Sequence, residues 1–186
     1  MELQGIFGFG AVAHGILAIA YFLTKFVWTK PHTVFYLLGH AIIIAVMLLR
    51  LDTSFIGSLP ATVVGISGHA SLTAFAMLYI TKIAPFFNQT PLHQILNAGF
   101  IVGQLGMIIN YIRDYLYGEA NRPLDYMSLV TFTILAIFYA FKTVDTYKEG
   151  NLGLTLGMAL VGILYVLLEV SGIQSLPMTN EQTASK

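Results

Sequence analysis

The 186-residue sequence contains no cysteine. Disulfide bonds, thiolate catalysis, iron–sulfur clusters and the covalent attachment of c-type haem all need cysteine thiols, so this chain can use none of them. Charge is also scarce, because only 10% of the residues are Asp, Glu, Lys or Arg, against about 25% in a typical soluble domain. The composition therefore excludes thiol chemistry and argues against a soluble globular protein.

Clustered charge of one sign is missing as well. The nine basic and nine acidic residues give a formal net charge of zero and fall mostly between apolar runs. A protein that binds nucleic acid neutralises backbone phosphates with clustered Lys and Arg side chains, so nucleic acid is excluded as a partner. The sequence also has no phosphate-binding glycine loop and no short-range H-x-x-x-H spacing for a metal. Whether the chain is an enzyme stays open.

Hydrophobic residues are abundant instead, at 56% of the chain, and they are collected in six long runs. A helix needs about 20 apolar residues to cross the hydrocarbon core of a bilayer. The runs predict an all-α integral membrane bundle of six transmembrane helices, with short loops and both termini on the same side. The predicted spans begin near Gly5, Pro31, Pro60, Pro91, Pro123 or Asp125, and Leu152.

Residues 1–175 are predicted to form one six-helix domain, and residues 176–186 a polar C-terminal tail. The expected location is a prokaryotic cytoplasmic membrane. Positive charge favours the cytoplasmic side of a membrane. The face with the termini is predicted to carry four basic residues and the other face five, which slightly favours both termini outside. The four are Arg50, Arg113, Arg122 and Lys186; the five are Lys25, Lys30, Lys82, Lys142 and Lys148.

Three of the apolar runs each contain one histidine next to a glycine, namely His14, His40 and His69. At 1.5 Å per helical residue, all three are predicted to lie about 15 Å from the face with the termini, near the bilayer midplane. The same arithmetic places Gln104 and Tyr165 at this level. An ionisable side chain at this depth is costly and indicates a functional site. We therefore expect a single polar layer built from several helices.

Histidines from different helices can bind haem iron from its two sides. His14 and His69 are the first axial pair and metal-ligand candidates, with His40 next. Arg50 and Arg113 are expected to hold the haem propionates, because arginine binds carboxylates with two hydrogen bonds. The neighbouring glycines would admit a flat ring or another backbone. The preferred prediction is electron transfer through one or two non-covalent b-type haems, exchanging electrons with membrane quinone or a partner redox subunit.

Other functions stay open at this stage. A membrane histidine can bind the magnesium of a chlorophyll-type pigment, as in a pigment-binding or structural subunit of a respiratory or photosynthetic complex. The histidine layer can also titrate as the relay of a small carrier or proton channel. Tyr165 and Glu169, one helical turn apart, are expected to serve a quinone or proton route.

A purely structural alternative also stands. In it, the histidines form hydrogen bonds across helices to Ser67, Ser71, Thr73 or Gln104, worth about 0.6–2 kcal/mol each. The expected partners of the chain are the lipid bilayer and other membrane subunits or a second copy. The G-x-x-x-G spacings at Gly99–Gly103 and Gly153–Gly157 indicate close helix packing.

Overall fold

A computed structural model describes residues 3–117 and 126–175 of the protein. All regular structure within these residues is helical, and six α-helices are long and apolar enough to cross a membrane, as predicted. The predicted tail and Arg122 lie outside the described residues. The helices are α1 (Leu3–Thr24), α2 (Pro31–Leu49), α3 (Leu59–Leu78), α4 (Pro91–Tyr117), α5 (Tyr126–Lys148) and α6 (Leu152–Ser175).

Local sequence signals fix several helix ends. Pro31 occupies the first turn of α2, where a missing N–H costs nothing. The Ser58 hydroxyl accepts a hydrogen bond from a backbone N–H in the first turn of α3, and the Asn151 side chain does the same for α6. Gly150 follows α5 with a φ of 74°, a left-handed conformation that favours glycine and ends the helix.

Two helices differ from the predicted spans in length. The first apolar run predicts a span from about Gly5 to Trp28, with Trp28 as an interfacial anchor. Helix α1 ends earlier, at Thr24, and Trp28 is 77% exposed. The fourth run predicts a span from Pro91 to about Ile112, whereas helix α4 continues to Tyr117. It can do so because Asp114 in its last turns is buried in a contact within the bundle rather than solvated beyond it.

The six helices form a closed ring. Each helix packs chiefly on its neighbours in the chain, and α1 packs on α6 to complete the circle. Leu3 of α1, Arg50 after α2, Asp114 of α4 and Ser171 of α6 line one cavity, so the corresponding helix ends lie together. We call this end of the bundle the Arg50 end. The opposite end, where Lys25 meets Glu149, is the Lys25 end.

The interior of the ring repeats one local pattern. Each of the three histidines is followed three residues later, on the same helical face, by an aliphatic side chain with 0% exposure. Leu135 of α5 and Leu164 of α6 are equally inaccessible. A packed apolar core therefore surrounds the polar groups near the middle of the bundle. The three aliphatic residues are Leu17, Ile43 and Leu72.

Candidate functional site

The three histidines singled out from the sequence are buried in the ring. His14 and His40 have 0% exposure and His69 has 1%. They lie on three consecutive helices. The structure thus buries all three predicted residues and brings His14 and His40 into contact. Together with the buried side chains of Gln104, Tyr36, Tyr139 and Tyr165, they make up what we call the polar core.

His14 and His40 contact each other directly. Their Nδ1 atoms are 2.7 Å apart, and the ring centroids are separated by 4.9 Å. A neutral imidazole has one N–H and one bare nitrogen, so one ring donates this hydrogen bond and the other accepts it. The donor ring then keeps a lone pair on Nε2, and the acceptor ring carries its hydrogen there. The pair as a whole offers one donor and one acceptor to its surroundings.

His69 pairs instead with Gln104 of the next helix. The distance from His69 Nδ1 to Gln104 Oε1 is 2.7 Å, so the ring donates its Nδ1 hydrogen to the amide oxygen. Gln104 has 0% exposure and lies on α4, which packs against α3. This contact is one of the cross-helix hydrogen bonds that the structural alternative named. Ser67, Ser71 and Thr73, by contrast, donate to carbonyl oxygens of their own helix.

Tyrosines complete the polar core. The Tyr36 ring packs edge-on against His40, with centroids 4.5 Å apart. Tyr139 of α5 and Tyr165 of α6 stack on each other at 5.7 Å, and both are 1% exposed. All six helices therefore contribute a polar side chain to the interior of the ring.

Several polar atoms of this core have no hydrogen-bond partner among the described residues. They comprise two imidazole nitrogens, one amide nitrogen and two phenol oxygens. An unsatisfied buried polar group costs about 1–3 kcal/mol, so such groups indicate water or a ligand. The atoms are His14 Nε2, His40 Nε2, Gln104 Nε2, Tyr36 Oη and Tyr139 Oη.

At two of the glycines near the histidines, a side chain of a neighbouring helix occupies the space beside the backbone. The ring of Tyr111 occupies the position where a Cβ of residue 65 would stand. At Gly39 the same position is 2.7 Å from a methyl carbon of Leu72. The close approach predicted from these glycines is therefore made by protein side chains.

Arg50, a predicted propionate ligand, is engaged with a carboxylate of the protein itself. Its Nη2 atom is 2.7 Å from Asp114 Oδ2, and the two side chains are 10% and 7% exposed. The guanidinium also lies over the rings of Phe7 and Tyr111, at 4.8 and 5.0 Å from their centroids. The ion pair neutralises the charge that a propionate would need. Arg113 lies one residue before Asp114, in the same turn of α4.

The remaining predicted site residue, Glu169, faces α5. Its Oε1 atom lies 2.8 Å from the Thr133 hydroxyl, which also lies 2.9 Å from the Leu129 carbonyl oxygen of its own helix. Tyr165, one turn earlier, points into the polar core. The two side chains thus take part in different contacts.

Sequence reasoning missed the buried carboxylate of Asp114 and the two core tyrosines Tyr36 and Tyr139. Asp114 lies on a stripe of α4 that begins at Gln104 and continues through Met107 and Tyr111, with helical spacings of three and four. That spacing was available from the sequence and places Asp114 on the inner face. Tyr36 and Tyr139 carry no comparable signal, because an isolated tyrosine in an apolar helix also suits the membrane interface.

Within the described part of the chain, no three His, Cys, Asp or Glu side chains form a group that could hold a metal ion. The chain matches no protein-family model, and no curated sequence or solved structure is significantly similar to it. Its function is therefore inferred from the chemistry of the polar core and of the two ends of the bundle.

Proposed function

We propose that this chain is an integral membrane protein that moves protons across the bilayer through its polar core. The observation that carries the proposal is a pair of contact series, one from each end of the ring, that lead to the three buried histidines. Ionisable residues inside membrane bundles characteristically line ion and proton paths. Histidine suits this role because its proton exchanges near neutral pH.

The first half of the path leads from the Arg50 end to the midplane. Arg50 lies over Tyr111, and the Tyr111 ring is 5.7 Å from the ring of His69. His69 is bonded to Gln104 of the next helix. These side chains connect the buried ion pair to His69.

The second half leads from the midplane to the Lys25 end. His14 and His40 share one hydrogen bond, so a proton received by one ring can be released by the other. The Tyr36 ring packs on His40, and the Tyr21 ring lies 4.0 Å from that of Tyr36. Tyr21 lies one turn before the end of α1. Proton transfer between these rings requires bridging water molecules. The polar-core atoms without a hydrogen-bond partner are suitable partners for such waters.

The test measures proton flux in liposomes. Purified protein is reconstituted with a pH-sensitive dye inside, and a potassium gradient with valinomycin supplies the driving voltage. Wild-type protein should carry protons faster than protein-free liposomes. His40→Gln should reduce the flux to near the protein-free rate, because glutamine keeps a polar side chain but does not titrate at neutral pH. His14→Gln should do the same.

The matched control is His32→Gln, on the same helix as His40 but near the Lys25 end and only half-buried. It should retain the wild-type flux. Wild-type flux no faster than that of protein-free liposomes would overturn the proposal, as would full flux in a folded His40→Gln protein.

A second candidate function is binding of b-type haem for electron transfer with quinone or a partner redox subunit. One specific contact favours it. Because His69 gives its Nδ1 hydrogen to Gln104, its Nε2 lone pair is available to an iron, and ligand histidines usually have such an outer partner. His14 would have to leave His40 to become the second axial ligand.

A reduced-minus-oxidised absorbance spectrum of the purified protein separates the two candidates. A sharp alpha band that His69→Ala removes and His32→Ala retains would support haem. Long-wavelength bands would support a chlorophyll-type pigment instead. A colourless folded preparation excludes both and leaves the proton path.

A further inference from the structure

We propose that the cavity at the Arg50 end binds the headgroup of a membrane quinone or quinol, a neutral ring that carries carbonyl or hydroxyl groups. The cavity has a volume of about 260 Å³ and is formed by residues of five helices and the turn after α2. Pockets for drug-sized ligands measure roughly 300–1,000 Å³, so this one suits a single substituted ring. The site is argued from its own lining and does not depend on proton conduction.

The polar side of the cavity is built from fixed groups. Arg50 and Asp114 form the buried ion pair, and the Ser128 hydroxyl donates to Asn110 Oδ1 at 2.8 Å, which orients the amide. Tyr111 lies beside the guanidinium. Together these side chains offer both donors and acceptors, as the carbonyl and hydroxyl forms of one ring require.

The balance of charge selects a neutral ligand. Arg50 and Asp114 cancel each other inside the cavity, so a fatty-acid carboxylate or a lipid phosphate would meet an arginine already neutralised. An additional buried charge without its own partner is strongly disfavoured. A quinone adds no charge and can accept hydrogen bonds from the same donors.

The opposite wall is apolar and adaptable. Phe7 and Phe132 supply aromatic faces for a flat ring, and Met47 and Met107 supply flexible thioether side chains that fit irregular shapes. Leu168 lines the cavity on α6, next to the small residue Ser171. An amphipathic lining of this kind recognises a ligand with an apolar body and polar edges.

The test measures binding to the purified protein in detergent with decylubiquinone as the probe. The quinone should raise the midpoint of thermal unfolding, because a ligand that binds only the folded state stabilises it. Ser171→Phe places a ring inside the cavity and should weaken binding at least about tenfold. Leu168→Phe is a second filling variant, used if the first does not fold.

Ser67→Phe is the matched control, since Ser67 is an exposed serine on the outer face of α3 and should leave the quinone affinity unchanged. Three outcomes overturn the proposal. The first is no stabilisation of the wild type, which would indicate a water-filled cavity. The second is equal stabilisation of the folded filling variants, which would indicate detergent-like binding. The third is tighter binding of dodecanoate than of the quinone, which would assign the cavity to an anionic lipid.

Discussion

The two ends of the bundle carry ion pairs of the same chemical kind in opposite surroundings. At the Arg50 end, Arg50 and Asp114 are 2.7 Å apart and their side chains are 10% and 7% exposed. At the Lys25 end, Lys25 and Glu149 are 3.0 Å apart but 48% and 54% exposed. Each pair joins segments distant in the sequence. The pairs differ in burial far more than in distance.

Burial decides what each pair does for the protein. An exposed pair contributes about 0–1 kcal/mol, because water and salt screen the attraction. A buried pair is costly to desolvate and gives little net stability, yet it becomes very costly to break. The Lys25 end should therefore tolerate loss of its ion pair with little change in stability. At the Arg50 end, removing either partner of the ion pair should be very costly. Such a pair suits a role in ligand binding or proton transfer better than a role in stability.

The largest expected effect comes from breaking the buried pair. Asp114→Ala leaves the Arg50 guanidinium without its carboxylate in a desolvated position, and we expect a loss of about 3–5 kcal/mol of unfolding free energy. The measurement is an SDS titration in mixed micelles followed by far-UV circular dichroism. A loss below about 1 kcal/mol, the range of exposed pairs, would show that the Arg50 end is as tolerant as the other.

Replacing both partners should cost much less than removing one. Arg50→Met combined with Asp114→Leu removes the pair and leaves apolar side chains of similar size, which is often close to neutral in stability. We expect the double variant to be more stable than Asp114→Ala in the same titration. It should nevertheless lose quinone stabilisation if the pair forms the polar side of the cavity. A double variant less stable than the single one would mean that the pair itself holds the helices together.

Much of the fold could be predicted from hydropathy and turn chemistry. Six apolar runs separated by proline, glycine and asparagine gave six helices, and α2, α4 and α6 begin where Pro31, Pro91 and Leu152 indicated. The signal is strong because a membrane helix must be apolar over nearly its whole length. The closed ring could not be predicted from the sequence, because helices that are apolar on all faces give no signal for which of them pack together.

The burial of the three histidines could be predicted from the sequence, but their pairing could not. Helical rise predicts one depth for His14, His40 and His69, and the structure buries all three side chains. Which rings touch depends on helix rotation, and the weakly amphipathic runs leave rotation undefined. The proximity of His14 to His40, and of Asp114 to Arg50, is set by three-dimensional packing.

A smaller effect is expected at the Lys25 end. Glu149→Ala removes an exposed pair, so the loss should stay below about 1 kcal/mol and shrink as salt is added. The same SDS titration at low and high ionic strength measures both. A loss that is large or independent of salt would place Lys25 and Glu149 in a less solvated setting than their exposure indicates.

The smallest effect is expected at Asp52, an exposed carboxylate at the Arg50 end. A substitution at Asp52 tests whether burial, rather than location at one end of the bundle, explains the difference in stability effect between Arg50–Asp114 and Lys25–Glu149. Hydrogen bonds from the side chain and backbone of Ser54 lower the pKa of Asp52 below its ordinary value of 3.8. A carboxylate with a lowered pKa in the folded state stabilises the protein above its ordinary pKa, and this stability is lost as the pH falls through the folded value.

Asp52→Asn keeps an oxygen that can accept from the Ser54 backbone N–H, at 3.0 Å in the wild type, but it does not titrate. The variant should match the wild type closely at neutral pH in the SDS titration. Subtracting the two curves between neutral pH and about pH 3 removes the contribution of the other carboxylates and isolates Asp52. The difference should be small and confined to the acidic side. Asp52 lies at the same end of the bundle as Asp114 but is exposed. If Asp52→Asn loses more unfolding free energy at neutral pH than Glu149→Ala, location at the Arg50 end matters independently of burial.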